Sequence, residues 1–154
     1  MKVLFVCTAN QCRSAVAAEM FRKLLKREGM DNCEVCSAGI LAVEGYPASE
    51  MAIISALKMG IDLSKHISQP LTGELIQESD LVLVMEKMHR TAVVKMCPDS
   101  SDKVKLLRSY AYEGADEEEI FDPTGSFDPL TYRTCFSLIL ESLEGLIKYL
   151  KTNN

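Results

Sequence analysis

The first fourteen residues carry the feature that most constrains the fold. After Lys2, the segment through Cys7 is a continuous apolar run with two valines and a phenylalanine, which is typical of a buried strand. Beyond a short polar stretch, Arg13 and Ser14 open a segment whose apolar residues recur at helical spacing through Leu25. A strand, a loop and a helix in this order favour an α/β fold, with the loop at the carboxyl end of the strand.

The rest of the chain repeats this alternation of strand and helix. Further strands are predicted over residues 34–37, 81–85 and 103–107, and further helices over residues 50–57, 89–97 and 132–150. Alternating elements imply a parallel sheet covered by helices on both faces. At 154 residues the chain has the length of one domain, so we expect residues 1–154 to form a single three-layer sandwich.

Composition and charge exclude several classes of protein. The net charge of −5 argues against a general nucleic-acid binder, since no basic stripe offsets it. The apolar runs are short and interrupted by charge, so we expect no membrane association. The start lacks the length and cleavage site of a secretory signal, which predicts a cytoplasmic protein. The acidic run over residues 113–119 is interpreted as a solvated loop.

The six cysteines are expected to be reduced, because the chain has enough apolar residues for a full core and no export signal. Cys33 and Cys36 have the spacing of a metal-ligand pair, yet no second such pair accompanies them. On a strand their side chains would point to opposite faces. We therefore predict packing roles for both and no metal site.

The segment between Cys7 and Ser14 has the composition of an anion-binding loop. Its backbone N–H groups can curl inward, and the following helix adds the positive end of its dipole. Arg13 offers a planar fork for two phosphate oxygens, and the same surroundings favour a thiolate at Cys7. Ser14 could donate to the sulfur. In the alternative interpretation there is no phosphate site: Cys7 is a buried cysteine at the end of a strand, and Arg13 is a surface charge on a helix. The predicted phosphate-binding loop consists of Thr8, Ala9, Asn10, Gln11, Cys12, Arg13 and Ser14.

With these residues the chain resembles the low-molecular-weight protein tyrosine phosphatases, and the related protein-arginine phosphatases, over nearly its whole length. Besides residues 6–14, the segments that carry the resemblance are 37–39, 60–62 with His66, 79–85, 102–104 and 122–123. The resemblance implies a sheet of strand order 2-1-3-4 and a phosphocysteine intermediate formed without metal or cofactor. It implies that Asn10, Ser37 and His66 brace the loop together with Ser14. The expected partner is a phosphorylated protein, and the expected state is a monomer, with weak self-association left open.

A carboxyl group is needed to protonate the leaving group, and the family places it in an Asp-Pro pair before the last helix. This sequence has two such pairs, Asp122-Pro123 and Asp128-Pro129. We favour Asp122, because it is followed closely by Gly125 as in the family pattern. Asp128 is interpreted as the cap of the last helix, with proline in the first turn.

Cys12 has a role implied by the same resemblance. In the family a cysteine at this place can form a reversible disulfide with the nucleophile, which protects the nucleophile from irreversible oxidation. The alternative is a small packing residue.

The departures from the family pattern concern substrate choice. Ala9 replaces a common glycine, and Gln11 stands where tyrosine phosphatases commonly have isoleucine. Thr124 replaces an aromatic residue that would stack on a phosphotyrosine ring, while Val43, with Tyr46 as a substitute, is expected on the opposite wall. The predicted substrate is protein phosphotyrosine. Alternatives are a protein-arginine phosphatase, a thiol-dependent arsenate reductase and a non-catalytic phosphate-binding module.

Overall fold

The computed structural model describes residues 1–153, which contain a four-stranded parallel sheet in the order β2-β1-β3-β4. This arrangement confirms the predicted fold class and the strand order that the resemblance implied. In the register of the sheet, Cys7 at the end of β1 lies opposite Gly39, and Val6 lies opposite Val84. The strands are β1 (Lys2–Cys7), β2 (Glu34–Gly39), β3 (Leu81–Val84) and β4 (Val104–Leu106).

Five α-helices connect and cover the strands. They are α1 (Arg13–Arg27), α2 (Glu50–Leu57), α3 (Gly73–Glu78), α4 (Lys87–Met96) and α5 (Pro129–Thr152). The sequence analysis missed α3, which has six residues and buries only Ile76, so it presents no apolar period. The prediction for β3 was one residue too long, since the strand ends at Val84. The prediction for β4 was too long because 3-10 turns flank the strand at Pro98–Lys103 and Leu107–Tyr110. The prediction for β2 was too short, since the strand runs on to Gly39.

The two faces of the sheet are buried by different helices. Val3 and Phe5 of β1 point to one face, where they join a core formed with α1 and α5. Leu4 and Val6 point to the other face, toward the buried Ile76 of α3 and Val93 of α4. The alternation along β1 therefore fills both cores, as expected for a strand at the centre of a parallel sheet. Within residues 1–153 no helix has the length and apolar character needed to cross a membrane.

Cys33 and Cys36 pack on opposite sides of the sheet, as the strand pattern predicts. Cys33 contacts the core on the α1 side, and Cys36 contacts the core on the α4 side. No group of three or more histidine, cysteine or acidic side chains in the described part of the chain could hold a metal ion.

The acidic run lies in an exposed loop, as the sequence predicted, and several of its carboxylates bind neighbouring elements. Glu117 forms a salt bridge with Arg90 at 3.0 Å, and Glu118 forms one with Arg108 at 3.3 Å. The backbone N–H of Lys87 donates to Glu119 at 2.7 Å. The loop is solvated as predicted, and these contacts join the start of α4 to the segment that leads to Asp122.

Candidate active site

The thiol of Cys7 lies buried where β1 ends and the predicted anion loop begins. Its Sγ is 2.9 Å from Oγ of Ser14. Because Asn10 Nδ2 donates to that same oxygen at 2.8 Å, the hydroxyl hydrogen of Ser14 remains available to the sulfur or to the more distant carbonyl of Ala38. The structure thus places a hydroxyl donor beside the sulfur.

Asn10 connects the loop to three other segments. Its Nδ2 donates to Ser37 Oγ at 2.9 Å, and its Oδ1 accepts from the backbone N–H of Gln69 at 3.0 Å. Its carbonyl oxygen lies 2.6 Å from Nε2 of His66. The structure therefore brings together the four residues of the predicted bracing network. Gln69 is a fifth member that the sequence analysis missed.

The loop also requires close packing against the end of β2. An added Cβ at Gly39 would lie 2.5 Å from the carbonyl oxygen of Thr8 and 2.8 Å from the backbone nitrogen of Asn10. The backbone N–H of Leu41 donates to that Thr8 carbonyl at 2.9 Å, which fastens the two loops to each other. Only glycine leaves room for this approach.

Arg13 is buried and points its guanidinium toward two carboxylates. Nη1 donates to Glu86 at 2.8 Å and to the carbonyl of Ile120 at 2.8 Å, and Nη2 lies 3.4 Å from Asp122. Burial opposes the charge, but the bond to Glu86 and the negative charges of Cys7 and Asp122 raise the pKa of Arg13 above its usual value. The side chain therefore stays cationic at the C-terminal end of the loop.

The two Asp-Pro pairs occupy different environments. Asp122 is partly exposed and lies beside Arg13, and its Oδ1 accepts from the N–H and the hydroxyl of Thr124 at 3.0 and 2.7 Å. Asp128 accepts from the N–H of Leu130 at 2.9 Å and caps α5, with Pro129 in the first turn. The cap predicted for Asp128 is present, and of the two carboxylates Asp122 is the one beside the guanidinium.

His89 is a buried residue of the site that the sequence analysis placed only at the start of a helix. Its Nε2 is 2.9 Å from Oγ1 of Thr8, and its Nδ1 accepts from the backbone N–H of Glu86 at 3.0 Å. The Glu86 side chain in turn accepts from the His89 backbone, so the two residues form a capping box at the start of α4. Burial, together with the nearby Arg13, lowers the pKa of His89 to about 4. No usual sequence signal marks this pair, because a capping box normally has serine or threonine at the N-cap and glutamate or glutamine at N3.

Cys12 occupies the N-cap position of α1 without a side-chain capping bond, and its thiol is buried. Burial raises the pKa of this thiol above its usual value, and the neighbouring Cys135 and Cys7 act in the same direction. Cys135 donates its thiol hydrogen to the carbonyl of Phe121 at 3.4 Å, next to Asp122. All six cysteines are free in the structure.

The residues expected to contact a substrate ring lie on two exposed loops. Val43 and Tyr46 follow β2 and are held by Ser68, which donates to the carbonyl of Val43 and accepts from the N–H of Tyr46. Thr124 was predicted to contact the substrate as well, but its hydroxyl donates to Asp122. Phe127 was not predicted as a site residue and is 92% exposed on the segment between Asp122 and α5.

Comparisons with known proteins show that the chain is similar to small phosphatases in both sequence and structure. Residues 2–154 match the family model described as low molecular weight phosphotyrosine protein phosphatase. The chain is 34% identical to a protein-arginine-phosphatase of Bacillus subtilis over 98% of this chain and 97% of the relative. It is 34% identical to a probable low molecular weight protein-tyrosine-phosphatase of Erwinia amylovora over 79% and 78%. A crystal structure of such a phosphatase from T. tengcongensis superposes with a TM-score of 0.88 at 35% identity, covering 97% of this chain and 99% of that one.

Replacement of Gly39 by alanine should damage the loop. The new methyl group would meet two backbone atoms closer than 3.0 Å, so the free energy of unfolding should fall by about 1–3 kcal/mol. Phosphate binding should weaken with it. Denaturant unfolding and calorimetry with inorganic phosphate measure both quantities. Gly73→Ala is the matched control, since its Cβ would meet only the Cys97 sulfur at 3.5 Å. Equal behaviour of the two variants would contradict the steric argument.

Proposed function

The chain belongs to the low molecular weight phosphotyrosine protein phosphatase family, and from that premise we propose that it hydrolyses phosphomonoesters of proteins, most of all phosphotyrosine, through a phosphocysteine on Cys7. One observation carries the proposal. A buried thiol with a hydroxyl donor at 2.9 Å lies at one end of a braced loop, and a guanidinium held by carboxylates lies at the other. This arrangement suits a nucleophile and a tetrahedral dianion in the same small volume.

In the first step the Cys7 thiolate attacks the phosphorus atom. The sulfur–phosphorus bond forms while the ester bond breaks, and Asp122 gives its proton to the departing oxygen. Arg13 and the loop N–H groups hold the equatorial oxygens, on which charge accumulates. When no phosphate is bound, Glu86 binds Arg13 and keeps the guanidinium near the position where it would hold the phosphate oxygens.

In the second step a water molecule attacks the phosphocysteine. Asp122, now a carboxylate, takes a proton from the water as the oxygen–phosphorus bond forms and the phosphorus–sulfur bond breaks. The hydroxyl of Ser14 donates to the sulfur that leaves, which lowers the cost of expelling a thiolate. Inorganic phosphate and the resting enzyme are the products, and the proposal includes no redox change.

The decisive experiment compares the wild-type chain with Cys7→Ser on p-nitrophenyl phosphate, a phosphotyrosine peptide, a phosphoarginine peptide and arsenate. The wild type should hydrolyse the first two, with the phosphotyrosine peptide preferred over the phosphoarginine peptide. Cys7→Ser should bind phosphate but lose turnover. Preference for the phosphoarginine peptide would redirect the substrate assignment, and inactivity on all four would overturn the function. Turnover by Cys7→Ser at the wild-type rate would exclude the phosphocysteine.

We expect Asp122→Asn to lower kcat by about 10²–10⁴ fold, because the amide can neither donate nor accept the transferred proton. Asp128→Asn is the matched control. Asparagine is as good a helix cap as aspartate, so stability and kcat should stay near those of the wild type. Steady-state kinetics on p-nitrophenyl phosphate distinguishes the two variants. If Asp128→Asn loses most of kcat and Asp122→Asn does not, the acid has been assigned to the wrong carboxylate.

Cys12 is the proposed redox partner of Cys7. Peroxide would convert the Cys7 thiolate to a sulfenic acid, and attack by the Cys12 sulfur would release water and form a disulfide. Dithiothreitol should then restore activity in the wild type. Cys12→Ser should lose this recovery, because the sulfenic acid would be oxidised further. Recovery assays after a timed peroxide pulse measure the effect, and equal recovery of Cys12→Ser and the wild type would refute the pairing.

A further inference from the structure

A second set of contacts holds the anion loop from the side opposite to Asn10. His89 lies on α4 and is completely buried, and both of its ring nitrogens have partners. One partner is Thr8, the residue directly after the nucleophile. The other is the backbone of Glu86, whose carboxylate binds Arg13 at the far end of the loop. The ring therefore contacts one end of the segment at Thr8 and is linked to the other end, Arg13, through Glu86.

The tautomer of His89 follows from these contacts. The backbone N–H of Glu86 can only donate, so Nδ1 must offer its lone pair. A neutral imidazole then carries its hydrogen on Nε2, and Nε2–H donates to Oγ1 of Thr8. The charged groups around the ring are Arg13, Asp122, Glu119 and Glu86, of which the cation Arg13 favours the neutral form. In this hydrogen bond His89 is therefore the donor, and the hydroxyl oxygen of Thr8 is the acceptor.

The bond to Thr8 is made where the backbone of the loop begins to turn. The Thr8 carbonyl is already bound by the N–H of Leu41 at 2.9 Å, so the side-chain bond to His89 restrains the same residue from a second direction. The carbonyl bond restrains the peptide plane that follows Thr8, and the hydroxyl bond restrains its side chain. The N–H groups that follow Thr8 in the loop are those expected to point at a bound phosphate.

The His89 ring also determines where Glu86 lies. As the acceptor for the Glu86 N–H, it closes the capping box, and the Glu86 carboxylate then accepts from the His89 backbone while it binds Arg13 at 2.8 Å. A shift of the ring would therefore reach Thr8 directly and Arg13 through Glu86. The bracing network of Asn10 makes neither contact.

We propose that His89 is a positioning residue for catalysis, which acts through its hydrogen bond to Thr8 to hold the first turn of the phosphate-binding loop. The proposal rests on the phosphatase function given above. Its role is separate from proton transfer, since neither ring nitrogen is available to a substrate. The effect should therefore appear in phosphate affinity and in kcat, rather than in the proton-transfer step that Asp122 serves.

Three variants test the proposal. Thr8→Val removes the acceptor and keeps the side-chain shape. His89→Asn keeps an acceptor near the position of Nδ1 but cannot reach Thr8. We expect each to lower kcat on p-nitrophenyl phosphate roughly tenfold and to weaken the binding of inorganic phosphate by a similar factor, as the loss of one positioning hydrogen bond would do. The double variant should be no worse than either single variant, because both substitutions break the same bond.

Thr91→Val is the control, because it removes a hydroxyl from the same helix that bonds only to the carbonyl of Lys87 at 3.1 Å. All variants are assayed well below their measured unfolding temperatures. The proposal is overturned if Thr8→Val has wild-type kcat and phosphate affinity, or if the losses of Thr8→Val and His89→Asn multiply in the double variant. Should His89→Asn fail to fold, Thr8→Val alone decides the question.

Phosphate binding by calorimetry separates this proposal from the phosphatase assignment. A wild-type chain that binds inorganic phosphate and turns over no phosphorylated substrate would refute the function. The Thr8–His89 pair would then be judged by whether Thr8→Val weakens that binding. Weaker binding supports the pair as a positioning device, and unchanged binding refutes it.

Discussion

Asn10 adopts a left-handed backbone conformation with φ of 54°, which costs a residue other than glycine about 1–2 kcal/mol. Three hydrogen bonds from its side chain offset that cost, and their partners lie on α1, on β2 and in the segment before α3. Ser14 is a local partner, but Ser37 and Gln69 lie 27 and 59 positions away and come near Asn10 only in the tertiary fold. The conformation of the loop at Asn10 therefore depends on the tertiary fold and is held without a bound anion, which is the preorganisation that phosphoryl transfer requires.

The charges around the loop are arranged so that one cation has several anionic partners. Arg13 is shared between Glu86 and Asp122, and the uncharged His89 ring lies beside them. A protonated imidazole would repel Arg13 and would lose the bond that Nδ1 accepts from Glu86. Because folding lowers the pKa of His89, the neutral ring stabilises the fold fully above about pH 6.5, and this contribution is lost as the pH falls toward 4. The fold thus favours the state in which Arg13 carries the single positive charge of the loop.

The parts of the structure that the sequence predicted are those that depend on local pattern. β1 consists of six residues whose two faces are both buried, and α5 has an apolar face and an aspartate cap before proline, so both were recognisable. The contacts of Arg13 with Glu86 and Ile120 join residues 73 and 107 positions apart, and no local pattern indicates them. The start of α4 was placed too late because its capping box ends in histidine rather than in the usual glutamate or glutamine. Gln69 was missed because its backbone N–H, which any residue would offer, makes the contact with Asn10.

Thr124 holds the carboxylate of Asp122, the proposed acid, at a position where an aromatic residue would contact a substrate ring. Its N–H bond to Asp122 is an Asx turn that nearly any residue could make, but its hydroxyl bond to the same oxygen needs serine or threonine. Both bonds reach Oδ1, so Oδ2, which faces Arg13 at 3.4 Å, is the oxygen free of the turn. An aromatic residue at this position would add ring contact worth about 0.5–1.5 kcal/mol and would release one bond on the acid. Aromatic contact with a phosphotyrosine ring must then come from other exposed rings, of which Tyr46 and Phe127 lie on the two loops that carry the predicted substrate residues.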